Sequence, residues 1–205
     1  GLLSGHYVIE RTGAQRIFTS QGLGEMGFGL PGAVGAYFAD KNRQIVCLNT
    51  DGAIMFNLQE LQVVAEHKIA MKLFIFNNSG YSMIRSSQEN LFEGRLEGST
   101  IESGISFPAF EDVAKTFGFN HVNIRNSNDL RLIDSALASP HAELIEITMH
   151  PEQKYFPRLA TNKLPDGTLV SPPIEDLDPK IPIELLEKML GYKQHKNSFK
   201  ARGLA

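Results

Sequence analysis

Apolar and polar positions along the chain follow two rhythms. Short runs rich in β-branched and aromatic residues stand at Arg16 to Ser20, Gln44 to Asn49, Lys72 to Asn77, His121 to Ile124 and Glu143 to Thr148, and they predict five buried strands. Between them, apolar residues recur with helical spacing. One such stretch runs from Pro31 to about Ala39, with Pro at an N1-like position and Gly32, Ala33, Gly35 and Ala36 allowing close backbone packing. A second spans Leu58 to Glu66, with Leu58, Leu61, Val64 and Ala65 on one face and Asn57 as its N-cap. A third opens at Pro108 and stops at Gly118. A fourth starts near Asn126 or Asn128, carries Leu130, Leu132, Ile133 and Leu137, and ends before Pro140. Strands alternating with helices predict an α/β fold, a doubly wound, mostly parallel sheet with helices on both faces that binds ligands beyond the carboxyl ends of its strands.

Two segments break the rhythm. Residues 79–106 hold Gly, Ser, Glu and Arg with little periodicity, and a loop of that length in a compact domain is a candidate active-site loop. From Pro151 onward lie seven of the ten prolines, with turn signals at Pro165-Asp166-Gly167 and Pro172-Pro173 and one amphipathic helix at about Pro182 to Leu190. The expected organisation is therefore a domain over residues 1–150 and an extended Pro-rich C-terminal tail, 151–205, docked on it. The last stretch, Gly191 to Ala205, is expected to fray.

Composition narrows the function classes. The 205 residues are 42% hydrophobic and 21% charged, which excludes disordered, collagen-like and coiled-coil chains. Lys plus Arg is 20 against Asp plus Glu at 23, a formal charge of −3, with no basic excess for nucleic acid and no polybasic run for a membrane surface. The single cysteine, Cys47, lies inside the apolar run Ile45 to Leu48, so no disulfide framework forms within the chain and a reducing, cytoplasmic location is expected. Apolar stretches fall far short of the roughly 20 residues that span a bilayer. The start, Gly1 to His6, lacks both a signal-peptide pattern and an initiator Met, and the expectation is a fragment of a longer protein or a trimmed product. His67, His121, His141 and His150 lack metal-ligand spacing.

The chemistry concentrates in Leu48-Asn49-Thr50-Asp51-Gly52, followed after 25 residues by Asn78, with Gly80 two further on. Asp51 stands just past one predicted strand, and Asn77-Asn78 end the next, so both project into one crevice. A carboxylate, an amide oxygen and a loop carbonyl are hard donors of the kind Mg²⁺ takes when phosphate oxygens and water complete its octahedron. Gly52 and Ala53 can turn backbone N–H groups to a phosphate. These residues by themselves point to a diphosphate and Mg²⁺ site. Gly22, Gly24, Gly27 and Gly29 lack the acidic partner at a strand end that a dinucleotide fingerprint requires.

Residues 14–150 resemble the diphosphate-binding domain of thiamine-diphosphate-dependent enzymes of the acetolactate synthase and pyruvate decarboxylase superfamily, which carry Gly-Asp-Gly and then Asn-Asn at this spacing. Gly22-Leu23-Gly24-Glu25-Met26-Gly27-Phe28-Gly29-Leu30-Pro31 is similar to the acetolactate synthase signature. The resemblance implies that Asp51, Asn78 and the Gly80 carbonyl hold Mg²⁺. It gives Met26 and Gly24 catalytic roles, Met26 as the apolar wedge that bends the cofactor and the Gly24 carbonyl as acceptor from the aminopyrimidine. Gly22, Gly52 and Ala53, with Tyr81 and Ser82 after the metal carbonyl, complete the implied cofactor contacts. Thr50 replaces the first Gly of the triplet, Ala53 stands where relatives often have Ser, and Glu25 where acetolactate synthases usually have Thr.

On the substrate side, Arg85 and Gln88 stand three apart and share a face if the segment is helical, and Arg suits a carboxylate or phosphate. Ile84 occupies the position where pyruvate-decarboxylase-type enzymes place a Glu, and the chain has no Trp, which acetolactate synthases usually carry in this loop. Arg85-x-x-Gln88, with Leu164 to Gly167 and Ser171 to Asp176, looks more like acetolactate-synthase-like proteins of sugar and surface-polysaccharide pathways. The implied reaction is decarboxylation of a 2-keto acid, pyruvate first, and transfer of the acyl-carbanion unit to a second carbonyl: pyruvate, 2-ketobutyrate or a keto-sugar. The alternatives are a 2-keto acid decarboxylase and a non-catalytic cofactor-binding or interaction module. The family further implies a pyrimidine-binding domain in a missing N-terminal part or a separate subunit, a homodimer or tetramer, no turnover by this chain alone, and FAD, if used, held outside this chain.

Overall fold

The computed structural model describes residues 9–20 and 22–204; the Gly1–His6 stretch and Ala205 lie outside them. The sheet has four strands, β1 (Val46–Thr50), β2 (Lys72–Asn77), β3 (Asn120–Ile124) and β4 (Glu143–Thr148), all parallel in the order β1-β2-β4-β3. In β2, Leu73 and Ile75 point to one face and Phe74 and Phe76 to the other, and covering both faces is why the strand reads as an unbroken apolar run.

Three helices cover the first face: α1 (Gly29–Ala39), α3 (Leu61–Glu66) and α5 (Phe110–Phe117). Leu30, Ala33, Leu61, Val64, Phe110, Val113 and Ala114 meet Leu73, Ile75 and Leu144 there. Between β1 and α3 lie the single turn α2 (Asp51–Ile54) and a 3-10 turn, Leu58–Glu60. The second face is covered by α6 (Arg131–Ala138), whose Ala136, Ile133 and Leu137 pack on Phe74, Ile124 and Ile145. Each fully buried aliphatic side chain contributes about 1.5–3 kcal/mol.

Local signals fix the boundaries. Asn126 caps the turn leading into α6 and forms a capping box with Asp129. Gly118 ends α5 in the left-handed region at φ +73°.

Two expectations are corrected. Arg16–Ser20 has no regular secondary structure and joins no sheet among the described residues. Phe18 packs edge-on against Phe28 at 6.3 Å, and Arg43 Nη1 donates to the Ala14 carbonyl at 2.9 Å, so side chains rather than a strand ladder hold this segment. Ile17 and Phe18 stay half-exposed, without the cover on both faces that an inner parallel strand requires. The C-terminal stretch expected to fray instead forms α8 (Lys196–Lys200), and beyond it Arg202 makes a bidentate ion pair with buried Asp176.

The chain divides into two compact units. One contains the described residues through Tyr81 and Thr100–Gln153, with the whole four-stranded sheet; the other contains Ser82–Ser99 and Lys154 onward. The segment 79–106 is thus shared between them, and it contains a helix, α4 (Ser82–Leu91). The second unit also holds the two-residue strands β5 (Asn162–Lys163) and β6 (Leu169–Val170) and helix α7 (Ile183–Leu190), within the Pro182 to Leu190 span expected of it.

Candidate functional site

β1 and β2 are neighbours, so their carboxyl ends bring Asp51 beside Asn78 and Gly80. The Asp51 carboxylate is 1% exposed. Its Oδ1 accepts from Gly52 N at 2.7 Å, and its Oδ2 accepts from Asn78 N at 3.0 Å and Gly80 N at 3.2 Å. Burial pushes its pKa above the ordinary value, and these N–H groups offset only part of that. None of the ion pairs among the described residues involves Asp51.

The donor set passes a geometric test. One terminal atom of the Asn78 amide lies 2.7 Å from the Gly80 carbonyl oxygen and 3.3 Å from Asp51 Oδ2. Turned nitrogen-inward, the amide donates to both. Turned oxygen-inward, it completes a cluster of three oxygens. Adjacent ligands of an octahedral Mg²⁺ with bonds of roughly 2.0–2.1 Å stand about 2.9 Å apart, a value these separations bracket. Asp51, Asn78 and Gly80 can therefore hold a divalent cation. The turn that carries them has Ser79 at φ +57°, a left-handed conformation that a non-glycine residue adopts only when held.

The N–H groups expected to face a phosphate have internal acceptors: Gly52 N bonds its own neighbour Asp51, and Ala53 N donates to Thr50 Oγ1 at 3.3 Å. Thr50 is extended at φ −128°, a conformation open to any residue, so replacing Gly there strains nothing and adds this cap. Gly52 is required by packing, since a Cβ there would lie 2.2 Å from the Tyr81 ring. Tyr81 in turn packs edge-on against Phe107 at 6.1 Å.

The glycine-rich segment leads into α1 beside the end of β1, where a Cβ on Gly29 would meet Asn49 and the Leu48 carbonyl. Gly24 is left-handed at φ +69°, and Glu25 accepts from Ser20 Oγ, a bond that holds its pKa below the ordinary value. Met26 is 39% exposed, an apolar side chain left available to a ligand. Next to it, the Gly27 carbonyl accepts from Asn57 Nδ2 at 3.0 Å. Gly27 sits at φ +94°, and an added Cβ would lie 2.8 Å from Phe56 Cβ. Gly27→Ala is therefore expected to lower stability by about 2 kcal/mol, read as a shifted denaturant midpoint at unchanged slope.

Ser82, Arg85 and Gln88 lie on α4 in the other unit. Arg85 is buried there. Gln88 accepts from Ser99 Oγ at 2.6 Å and donates to the Glu97 carbonyl at 2.9 Å, fastening residues 97–99 to the helix.

Sequence reasoning missed the polar row on the first face of the sheet behind this turn: Glu146 on β4, with His121 and Asn123 on β3 and Asn77 on β2. The signal available was a carboxylate inside the apolar strand Leu144-Ile145-Glu146-Ile147, which requires buried partners. Among the described residues, no group of three or more His, Cys, Asp or Glu side chains is gathered to hold a metal ion, and no helix is long and apolar enough to cross a membrane.

A parallel sheet with hard oxygen donors at its carboxyl ends is the architecture of a cofactor-binding α/β domain. Residues 2–147 match the family described as thiamine pyrophosphate enzyme, C-terminal TPP binding domain, and the chain belongs to that family. It is 33% identical over 146 residues to an acetolactate synthase large subunit of Cyanidium caldarium, covering 71% of this chain and 25% of the relative. It is 34% identical over 154 residues to the corresponding subunit of Parasynechococcus marenigrum (strain WH8102), covering 75% and 25%. Among solved structures it is similar to the thiamine diphosphate-dependent 4-hydroxybenzoylformate decarboxylase of Rhodococcus jostii RHA1. The TM-score is 0.55 at 32% identity, over 64% of this chain and 24% of that one. The chain thus spans about a quarter of the length of these relatives.

Proposed function

We propose that this chain supplies the diphosphate- and Mg²⁺-binding part of an acetolactate synthase-like active site. The enzyme decarboxylates a 2-keto acid, pyruvate first, and transfers the acyl unit to pyruvate, 2-ketobutyrate or a keto-sugar. The observation that carries this reading is the convergence of the Asp51 carboxylate, the Asn78 amide and the Gly80 carbonyl. Asp51, Asn78 and Gly80 would hold the metal against the cofactor's diphosphate. Thiamine diphosphate, when bound, would supply a nucleophilic carbon for the keto acid and an electron-poor ring that accepts the electron pair released by decarboxylation. The chain's own part is binding and orientation. Met26 offers the apolar surface for the cofactor to bend over, and the Gly24 carbonyl is an acceptor for its ring amine. A pyrimidine-binding domain, in the same protein or a partner subunit, is proposed to complete the site within a homodimer or tetramer, as the family resemblance implies, and the chain alone is not expected to turn over.

The test is carbon dioxide release from pyruvate by the full protein with thiamine diphosphate and Mg²⁺. Release with an acetolactate product supports the carboligase reading. Release with only an aldehyde supports simple decarboxylation, the activity named for the Rhodococcus neighbour. Silence that lifts on adding a keto-sugar makes the sugar the acceptor. Silence with pyruvate under every acceptor removes pyruvate as donor.

A further inference from the structure

The Asn78–Gly80 turn is held from behind by a chain of hydrogen bonds that crosses the sheet. Asn77, the last residue of β2, accepts from Ser79 N through its Oδ1 at 3.1 Å, the bond that closes the left-handed turn at Ser79. Its amide nitrogen donates to Glu146 Oε1 at 2.6 Å. Through its other oxygen, Glu146 meets His121 Nε2 at 3.1 Å and Asn123 Nδ2 at 3.4 Å. A carboxylate only accepts, so the facing His121 nitrogen carries the hydrogen. Asn123 is itself fixed by Thr148 Oγ1, which donates to its Oδ1 at 3.0 Å. Glu146 is buried, and His121 is the only basic side chain within 4 Å of its carboxylate among the described residues.

This arrangement exceeds what a strand end needs. The Asn77 carbonyl already accepts from Met149 N at 2.8 Å, so the backbone of β2 is anchored without the side chain. What the Asn77 amide adds is orientation: with its nitrogen committed to Glu146, its oxygen must face Ser79 N. Reversing the amide would set an oxygen against the carboxylate. Glu146 thereby decides the rotamer of Asn77, and Asn77 decides the turn that sets Asn78 and Gly80 against Asp51.

We propose that Glu146, held by His121 and Asn123, is a positioning residue for the metal-ligand turn and acts on it through Asn77. The inference rests on the metal reading of Asp51, Asn78 and Gly80 given above. Partners hydrogen-bonded directly to metal ligands typically change metal affinity about 10- to 100-fold, because they fix ligand orientation before the ion arrives. Glu146 stands further back, acting through Asn77 and the Ser79 amide, so its effect is expected at the lower end of that range.

The experiment measures the apparent Mg²⁺ affinity for thiamine diphosphate binding by calorimetry on the full protein, with the melting temperature as a separate readout. Glu146→Ala is expected to weaken Mg²⁺ affinity about 10-fold, the lower end of the range for direct partners of metal ligands. Glu146→Gln, whose amide oxygen still accepts from Asn77 while its nitrogen donates to His121 in the other tautomer, is expected to restore part of it. The double variant Glu146→Ala/Asn77→Ala is expected to bind Mg²⁺ no worse than Asn77→Ala, since both lie on one route. Wild-type Mg²⁺ affinity in Glu146→Ala overturns the proposal, as do losses in the two single variants that multiply in the double. A lower melting temperature with unchanged Mg²⁺ dependence also overturns it, because that is what a purely structural carboxylate gives. Should Glu146→Ala not fold, Asn77→Ala decides: weakened Mg²⁺ affinity supports the relay and wild-type affinity overturns it. Asp51→Ala separates the two readings. If it keeps metal-dependent binding, the site assignment itself fails; if it loses it while Glu146→Ala and Asn77→Ala bind Mg²⁺ normally, only the relay fails.

Discussion

Asp51→Ala is expected to abolish Mg²⁺-dependent thiamine diphosphate binding, with calorimetric affinity falling by at least about 100-fold while the sheet stays folded. Asp51 is the only anionic member of the three-oxygen cluster, and the other two donors are neutral dipoles. Removing it takes away the charge that balances the metal and also the acceptor that holds Asn78 N and Gly80 N. Burial disfavours the bare carboxylate and pushes its pKa up, and a divalent ion beside it would offset that cost. Stability of the variant without ligand is therefore expected to change far less than its binding. A variant that still binds cofactor in a metal-dependent way would place the metal elsewhere.

How much of this was legible in the sequence depended on what each segment buries. β2 and β4 have the bounds their apolar runs predict, because both faces of those strands are covered and every position carries signal. The helix Ser82–Leu91 left no such trace: its buried residue is Arg85, while Met83 and Ile84 are exposed, so no apolar stripe marks its face. Arg16–Ser20 shows the converse failure, since β-branched and aromatic composition suits a strand but pairing is decided by the neighbouring edge. At the candidate site, the Asp51, Asn78 and Gly80 set was visible because spacing along the chain brings it to adjacent strand ends. The Glu146 relay joins β2, β3 and β4 across the sheet, and only the strand order reveals it. The effect of Thr50 was also hidden, because whether its hydroxyl caps Ala53 depends on a backbone turn that residue types alone do not specify.

Asp176→Ala is expected to destabilise the second unit by about 3–5 kcal/mol near neutral pH, the typical cost of leaving one partner of a buried ion pair alone. Asp176 is 1% exposed, and Arg202 grips it with both terminal nitrogens, Nη2 to Oδ1 at 2.6 Å. The same guanidinium donates to the Ser198 carbonyl at 3.0 Å and the Ile181 carbonyl at 3.2 Å, so one cation ties the C-terminal helix to the turn before α7. Burial works against the charged carboxyl, but the Arg202 bonds, with the charges of Arg202 and Lys180, outweigh it and hold the pKa below the ordinary value. A depressed acid pKa sets the sign of the pH dependence: the ion pair stabilises the fold fully above the unfolded carboxyl value of about 3.9, and loses that contribution as pH falls through the folded value. The difference between wild type and variant should accordingly be constant from pH 6 to 8 and shrink below about pH 4. Denaturant unfolding across that range checks it. A difference that persists undiminished in acid would mean that Asp176 supports the fold by shape rather than by charge. Arg202→Met tests the other partner, and is expected to cost a similar amount because it strands the buried carboxylate.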